Sequence, residues 1–256
     1  VIGWAFQGSR GLYESTEGRY AECARETLAS GQILEPILNG EPHWTKPPLT
    51  YWLIEAGLVC FGNNAWGARA YLAVVFILSV IAVYYAGRAL WDKETGAIAA
   101  LIYATCPYPI AASFALSTDM PETMMQGFSI AFFWLAVRQN KKRYVFLMWV
   151  FFGLAVLTKG PVAIFWLFGV FPAYILLKWD NVSFPRMVTL SGILAFILVG
   201  GSWYLIEIER HPFLFNYWVM HETVGRFTAN EFQRNPEIYK IVTLYLPIAL
   251  FGAMPW

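Results

Sequence analysis

The sequence predicts an all-α polytopic membrane protein, and three observations lead there. The chain is 58% hydrophobic and 18% aromatic but only 14% charged, whereas a soluble domain carries about 25% charged residues. Its mean hydropathy is +0.48. Its ionisable residues gather at the ends of uncharged apolar runs, and the two sets of ends differ chemically.

A bilayer core about 30 Å thick requires roughly 20 apolar residues per helix. Gly96–Thr118 and Met187–Ile206 are such runs without a charge, and Ala70–Gly87 and Gly160–Leu177 are shorter but equally clean. Tyr144–Leu177 is too long for one span and is interrupted by Lys159-Gly160-Pro161, which predicts two helices joined by a tight turn. Thr123–Val137 is a further span, extended by Asp119–Glu122 at its mouth, and Val242–Trp256 begins another. Val1–Gln7 reads as the tail of an incomplete span. Val1 is not an initiator methionine and Trp256 lies inside an apolar run, so the expectation is a fragment of a longer protein, with a cleaved signal peptide as the alternative account of the start. The resulting organisation is a first-span remnant over 1–8 and an outer loop with interfacial helices over 9–68. A helix bundle follows over 69–206, then a second outer loop over 207–240 and the start of a further span over 241–256.

Arg88–Lys93, Arg138–Arg143 and Lys178–Arg186 hold eight of the eighteen Lys and Arg residues, with few acids beside them. The positive-inside rule makes these loops cytoplasmic. Alternation of the spans then turns Arg10–Lys46, Asp119–Glu122, Lys159–Pro161 and Glu207–Lys240 outward. The charges are segregated by membrane side rather than gathered into one basic face, so the net charge of +1 gives no sign of a nucleic-acid partner. Cys23, Cys60 and Cys106 have no metal-ligand spacing, and Cys60 and Cys106 read as small packing residues.

The first outer loop carries two predicted helices. Ser15 or Thr16 can cap one that runs through Glu17–Leu28 and ends near Gly31, with Tyr20, Ala24, Thr27 and Leu28 on its apolar side. The second starts at Lys46-Pro47-Pro48 and continues through Tyr51-Trp52, with proline where a helix begins and aromatics suited to an interface. Arg10, Arg25, Glu35 and Glu41 read as solvated loop charges. Glu17, Arg19 and Lys46 lie beside the hydrocarbon region, where a charge is costly unless it is paired or used. The same holds for Asp119 and Glu122 in their short turn, although Asp119 can also serve simply as a helix N-cap. Lys159 has no acid beside it in sequence and can bind a phosphate, pair with Asp119 or snorkel. His221 is a candidate metal or phosphate ligand, with a packing role as the plainer reading.

Outward carboxylates and cations around a membrane-level cavity suit a reaction on a lipid-linked, phosphorylated substrate. A carboxylate would take a proton from an acceptor hydroxyl and the cations would hold the leaving phosphate. Transport of an anionic lipid would use the same cations.

The motifs Glu17-Gly18-Arg19-Tyr20-Ala21-Glu22, Leu28-Ala29-Ser30-Gly31, Leu38-Asn39-Gly40 and Lys46-Pro47-Pro48-Leu49-Thr50-Tyr51-Trp52 resemble the first outer loop of the aminoarabinose transferases of bacterial lipid A modification. Thr118-Asp119, Leu157-Thr158-Lys159-Gly160-Pro161, Trp203-Tyr204, His221 to Arg226-Phe227 and Pro255-Trp256 continue the resemblance in order. With the protein O-mannosyltransferases, these enzymes make up a class of integral-membrane glycosyltransferases dependent on polyprenyl-phosphate sugars, with the GT-C-type bundle. The resemblance implies inverting transfer of a sugar from undecaprenyl phosphate to a lipid, glycan or protein acceptor at the periplasmic face of the bacterial inner membrane. It implies that Arg19, Lys46 and Arg226 hold the lipid phosphate with Lys159 near them, that Asp119 lines the same cavity, and that His221 takes part in binding a divalent metal ion. Two positions depart from the pattern: Thr16 stands where these transferases have aspartate, and Thr45 where they have an acid before Lys-Pro-Pro. Glu17 or Asp119 is then the candidate catalytic carboxylate. A transporter or flippase, and a non-catalytic binder of the same lipid, are the competing classes.

Overall fold

The computed structural model describes residues 4, 6–13, 16–164, 187–225 and 239–256. Within them the chain is all-α apart from one short hairpin. The bundle's backbone polar groups are thus satisfied within helices, as a bilayer demands.

Helix α1 (Glu17–Ser30) ends as the sequence predicts: Gly31 takes the left-handed conformation, φ 73°, and its N–H returns to the Leu28 carbonyl. The Thr16 side chain makes no cap; Tyr20, Ala24 and Thr27 are buried as expected, with Cys23 beside them, while Leu28 points outward. A hairpin of β1 (Ile37–Leu38) and β2 (Glu41–Pro42) leads to α2 (Leu49–Phe61), for which Pro48 is the N-cap residue. Tyr51 and Ile54 of α2 are fully buried against α1 and the bundle, each such side chain contributing about 1.5–3 kcal/mol.

Helix α3 (Ala65–Leu90), 26 residues long, spans about 39 Å at 1.5 Å per residue. The Asn64 side chain caps it by accepting from the Gly67 N–H. Helix α4 (Lys93–Thr105) is capped by Asp92. The apolar run Gly96–Thr118 is not the single span that its composition suggests. Cys106 is extended (ψ 133°), Pro107 starts the short α5 (Pro107–Ala112), and the chain leaves the helix at Ser113. Proline has no N–H to continue the ladder and pushes the preceding residue out of the α region, so the break falls where the two prolines stand. Helices α6 (Asp119–Gln139) and α7 (Lys142–Lys159) form an antiparallel pair that packs on α3 and α2. Asn140, φ 49°, closes the turn between them.

After α7, Gly160 at φ 99° stops the helix and a 3-10 turn follows over Pro161–Ala163. Leu190–Arg210 is one continuous rod built of α8 (Leu190–Phe196), a π-helical segment (Ile197–Gly201) and α9 (Ser202–Arg210). Gly200 lies so close to Gly153 of α7 that an added Cβ would sit 2.9 Å from the neighbouring backbone. Helix α10 (Phe213–Asn216), a π segment (Tyr217–Gly225), a second π turn (Ile241–Tyr245) and α11 (Leu246–Ala253) complete the described chain.

Helix α3 and the Leu190–Arg210 rod are each long and apolar enough to cross a bilayer. The expected span Gly160–Leu177 and basic loop Lys178–Arg186 fall mostly or wholly outside the described residues. The other two basic turns meet, with Arg138 donating to the Leu90 carbonyl. Of the cysteines, Cys106 is buried as expected, but Cys60 is exposed at the end of α2.

Candidate functional site

At the bundle end opposite those basic turns, the N-terminus of α6 meets the C-terminus of α7. Asp119 and Glu122 occupy the first turn of α6 and Lys159 the last turn of α7, so each charge complements the dipole of its own helix. Lys159 Nζ lies 2.7 Å from Asp119 Oδ1 and 2.7 Å from Glu122 Oε2. The two acids differ in access: the Asp119 side chain is 64% exposed and that of Glu122 6%. Glu122 also accepts from Gln126 Nε2 at 2.8 Å through its other oxygen. Among the three roles open to Lys159 from sequence, the structure places it in the pair with Asp119 and adds Glu122 to it.

Lys159 lines a cavity of about 30 Å³ with Lys46, Gly160, Tyr204, Trp218 and Glu222, room for roughly one or two waters. Thr45 also lines it, in the position where the resemblance has an acid. Lys46 lies within electrostatic reach of Glu122. His43, three residues earlier, is held below its ordinary pKa, first by burial and then by the Arg19 and Lys46 cations, with Glu222 acting in the opposite sense. Arg19 is thereby placed beside this group from the exposed side of α1, where its guanidinium also lies 5.4 Å from the Tyr20 ring. Lys46, Lys159 and Arg19 thus converge on one end of the bundle. Arg226 lies outside the described residues.

Glu17 does something else. Arg69 Nε and Nη2 reach its two oxygens at 3.1 and 2.8 Å, and Arg10 Nη1 and Nη2 at 2.6 and 3.2 Å. The Tyr13 and Leu116 amides donate at 2.9 and 2.8 Å. Burial pushes this carboxyl up, but Arg69, Arg10 and the two amides outweigh it and hold the pKa down at about 2. With six donors on its two oxygens and 3% exposure, Glu17 has no lone pair to offer a substrate. Its geometry is that of a buried counter-ion, set apart from the Asp119 cluster with which the sequence expectation had it share acid–base work. Arg10, read from sequence as a solvated charge, is one of its partners and also donates to the Phe114 carbonyl at 2.8 Å. Through Leu116, Glu17 fixes the turn that delivers Asp119.

His221 stacks on the Tyr217 ring at 5.2 Å, and its Nδ1 lies 3.7 Å from Glu222 Oε1. Tyr217 Oη donates to the same carboxylate at 3.2 Å. With threonine at position 45, His221 and Glu222 do not complete a three-ligand set among the described residues. The described residues around His221 therefore do not by themselves make up the expected metal site. Sequence reasoning missed His43, whose signal was its place three residues before Lys46, and read Tyr204 only as part of a motif, whereas it lines the Lys159 cavity.

The fold and site define a helical membrane bundle with a charged cluster at the mouth of two antiparallel helices. Residues 45–204 match the family described as dolichyl-phosphate-mannose-protein mannosyltransferase, and the chain belongs to it. It is 30% identical to an undecaprenyl phosphate-alpha-4-amino-4-deoxy-L-arabinose arabinosyl transferase of Pseudomonas aeruginosa, over 97% of this chain and 45% of the relative. The Erwinia tasmaniensis protein of the same name is 26% identical over 96% of the chain. The crystal structure of ArnT from Cupriavidus metallidurans bound to undecaprenyl phosphate superposes with a TM-score of 0.88 at 25% identity, covering 100% of this chain and 47% of that one. The chain spans about half the length of the relatives it matches. The expected all-α, GT-C-type membrane fold is therefore the fold it has.

Proposed function

We propose that the protein moves a sugar from a polyprenyl phosphate, undecaprenyl phosphate in bacteria, to a hydroxyl of a lipid, glycan or protein at the outer face of the inner membrane. The observation that carries this reading is the Lys159 ammonium held between Asp119 and Glu122 on the wall that Lys46 shares. Its bearing comes from family membership and from the relatives that are named for undecaprenyl-phosphate sugars. In this scheme the acceptor oxygen attacks the anomeric carbon, the bond from that carbon to the phosphate oxygen breaks, and the configuration inverts. Asp119, the more open of the two acids, takes the hydroxyl proton. Lys46 and Lys159, with Arg19 at the approach, hold the charge that grows on the departing phosphate, a task that the family resemblance also gives to Arg226. Glu122, more buried and also engaged by Gln126, orients Lys159. A flippase could hold the same lipid with the same cations, but it releases no free polyprenyl phosphate.

The test is release of free undecaprenyl phosphate from sugar-charged undecaprenyl phosphates by the intact protein in proteoliposomes, with bacterial envelope lipids as acceptors. Acceptor-dependent release that Asp119→Asn abolishes, with lipid binding preserved, is the expected result. Binding or translocation without release would overturn it.

A further inference from the structure

A second group of chemistry-bearing residues lies outside the cluster just described, between the first outer loop and the end of the Leu190–Arg210 rod. Glu207 lies in the last turn of α9, and His211, the residue that ends the helix, donates its backbone N–H to the Glu207 carbonyl. Glu35, just before β1, meets them there: His211 Nε2 is 3.0 Å from Glu35 Oε1 across 176 residues of chain. One ligand atom from each of Glu35, Glu207 and His211 lies within 4.8 Å of the other two.

Proximity of acids alone would carry nothing. The telling observation is Glu207, whose side chain is 0% exposed and whose two oxygens both lack a hydrogen-bond partner. An ionised carboxylate in that state is costly. A protonated one sheds the charge but still makes no hydrogen bond. Arg210 does not resolve the problem: it is half-exposed, and its Nη1 stands 3.8 Å from Glu207 and 3.6 Å from Glu35, beyond hydrogen-bonding reach of both. Glu17, by contrast, is met by six donors.

We propose that Glu35, Glu207 and His211 bind a divalent transition-metal ion of the zinc type, which clips the outer loop to the end of the α9 rod. One imidazole and two carboxylates form a mixed nitrogen and oxygen donor set suited to such an ion. Bonds of about 2.0–2.2 Å set tetrahedral ligands roughly 3.3–3.5 Å apart, so the three side chains need only close slightly around the ion. The metal supplies the charge that Glu207 lacks and replaces the His211–Glu35 contact with two bonds. A solvent water takes the fourth position on the open side, where Glu35 and His211 are partly exposed. The surroundings are those of a metal shell: the Trp44 ring packs on His211 at 5.2 Å, and Phe213 lies 6.1 Å from it. The Trp44 indole N–H, itself without a completed hydrogen bond, faces Glu207 and can bond the carboxylate oxygen that the metal leaves free. The site does not involve His221 and stands whether or not the transferase reading holds.

The test uses the intact protein in lipid nanodiscs, stripped with chelator and titrated with Zn²⁺ by calorimetry. One equivalent is expected, with affinity at least tenfold weaker in Glu207→Gln and His211→Ala and unchanged in His221→Ala. A ligand exchange guards against variants that fail to fold. His211→Cys loaded with Co²⁺ should retain the ion and gain a thiolate-to-cobalt charge-transfer band that the wild type lacks. Absence of saturable uptake by the wild type, uptake indifferent to Glu207→Gln, or Co²⁺-loaded His211→Cys without the thiolate band would each overturn the proposal.

Discussion

Arg69 holds Glu17 in a two-pronged contact, Nε to Oε1 at 3.1 Å and Nη2 to Oε2 at 2.8 Å, across 52 residues of chain. The other Arg69 donors reach the carbonyls of Gln7, Arg10 and Gly11 at 2.7–3.1 Å. A single buried guanidinium therefore ties the segment from Gln7 to Glu17 to α3, and Glu17 carries the tie onward to Leu116.

Removing one partner should strand the other. Glu17→Gln leaves Arg69 buried with a neutral partner and is expected to destabilise the protein by about 3–5 kcal/mol, the usual cost of breaking a buried pair. Thermal unfolding in detergent micelles reads this directly. The variant should lose activity through that loss of stability; an unchanged melting temperature with activity abolished would restore Glu17 to a chemical role.

Asp119→Asn should lower kcat by about 10²–10⁴-fold, the range for a lost general base, with little change in melting temperature because the side chain is largely exposed. Lys159→Met is expected to affect both, since it leaves Glu122 without its cation in a nearly closed site. Steady-state kinetics beside melting curves separate the two patterns.

Gly160→Ala places a side chain at φ 99° and a Cβ 3.2 Å from Tyr204 Oη. Residues forced into such backbone regions cost about 1–3 kcal/mol. Adding Tyr204→Phe should recover the part due to contact and leave the part due to backbone strain. A double-mutant cycle on unfolding free energies distinguishes them.

Stability should fall in two steps as the solution is acidified. His43 has a native pKa below its ordinary 6.5, so the unfolded chain takes up its proton first, and stability declines as pH drops below about 6.5 toward the native value. Glu17 titrates near 2 in the folded protein against 4.5 unfolded, so its contribution is complete above 4.5 and is lost as pH falls through that window toward 2. His43→Gln should abolish the first step and leave the second, as followed by denaturation midpoints across pH.

The elements that local chemistry decides were legible in the sequence. Gly31 and Gly160 marked helix ends because each takes a backbone conformation that other residues resist, and Asp119 marked a helix start because an acid is favoured there. The prolines at 107 and 109 carried the signal for the break in Gly96–Thr118, but the uninterrupted hydropathy of that run obscured it. What could not be read was which distant charges meet. Glu17 reads alike whether it faces a substrate or two arginines, and Glu35 reads as a solvated loop acid until His211 is folded against it. Lys159 had no acid beside it in sequence because its partners lie on the preceding helix, which reverses direction at Asn140.

The Glu17 contacts also impose an order on biosynthesis. Arg10 and Tyr13 leave the ribosome before Glu17, but Arg69 emerges after α2 and Leu116 only after α3, α4 and α5. The nascent loop must therefore wait undocked, its acid only partly neutralised, while those segments enter the bilayer. Docking of the loop therefore reports insertion of the chain as far as α5, and a protease should cleave the loop in chains arrested before Leu116 has emerged and spare it in chains in which Leu116 is free to pair.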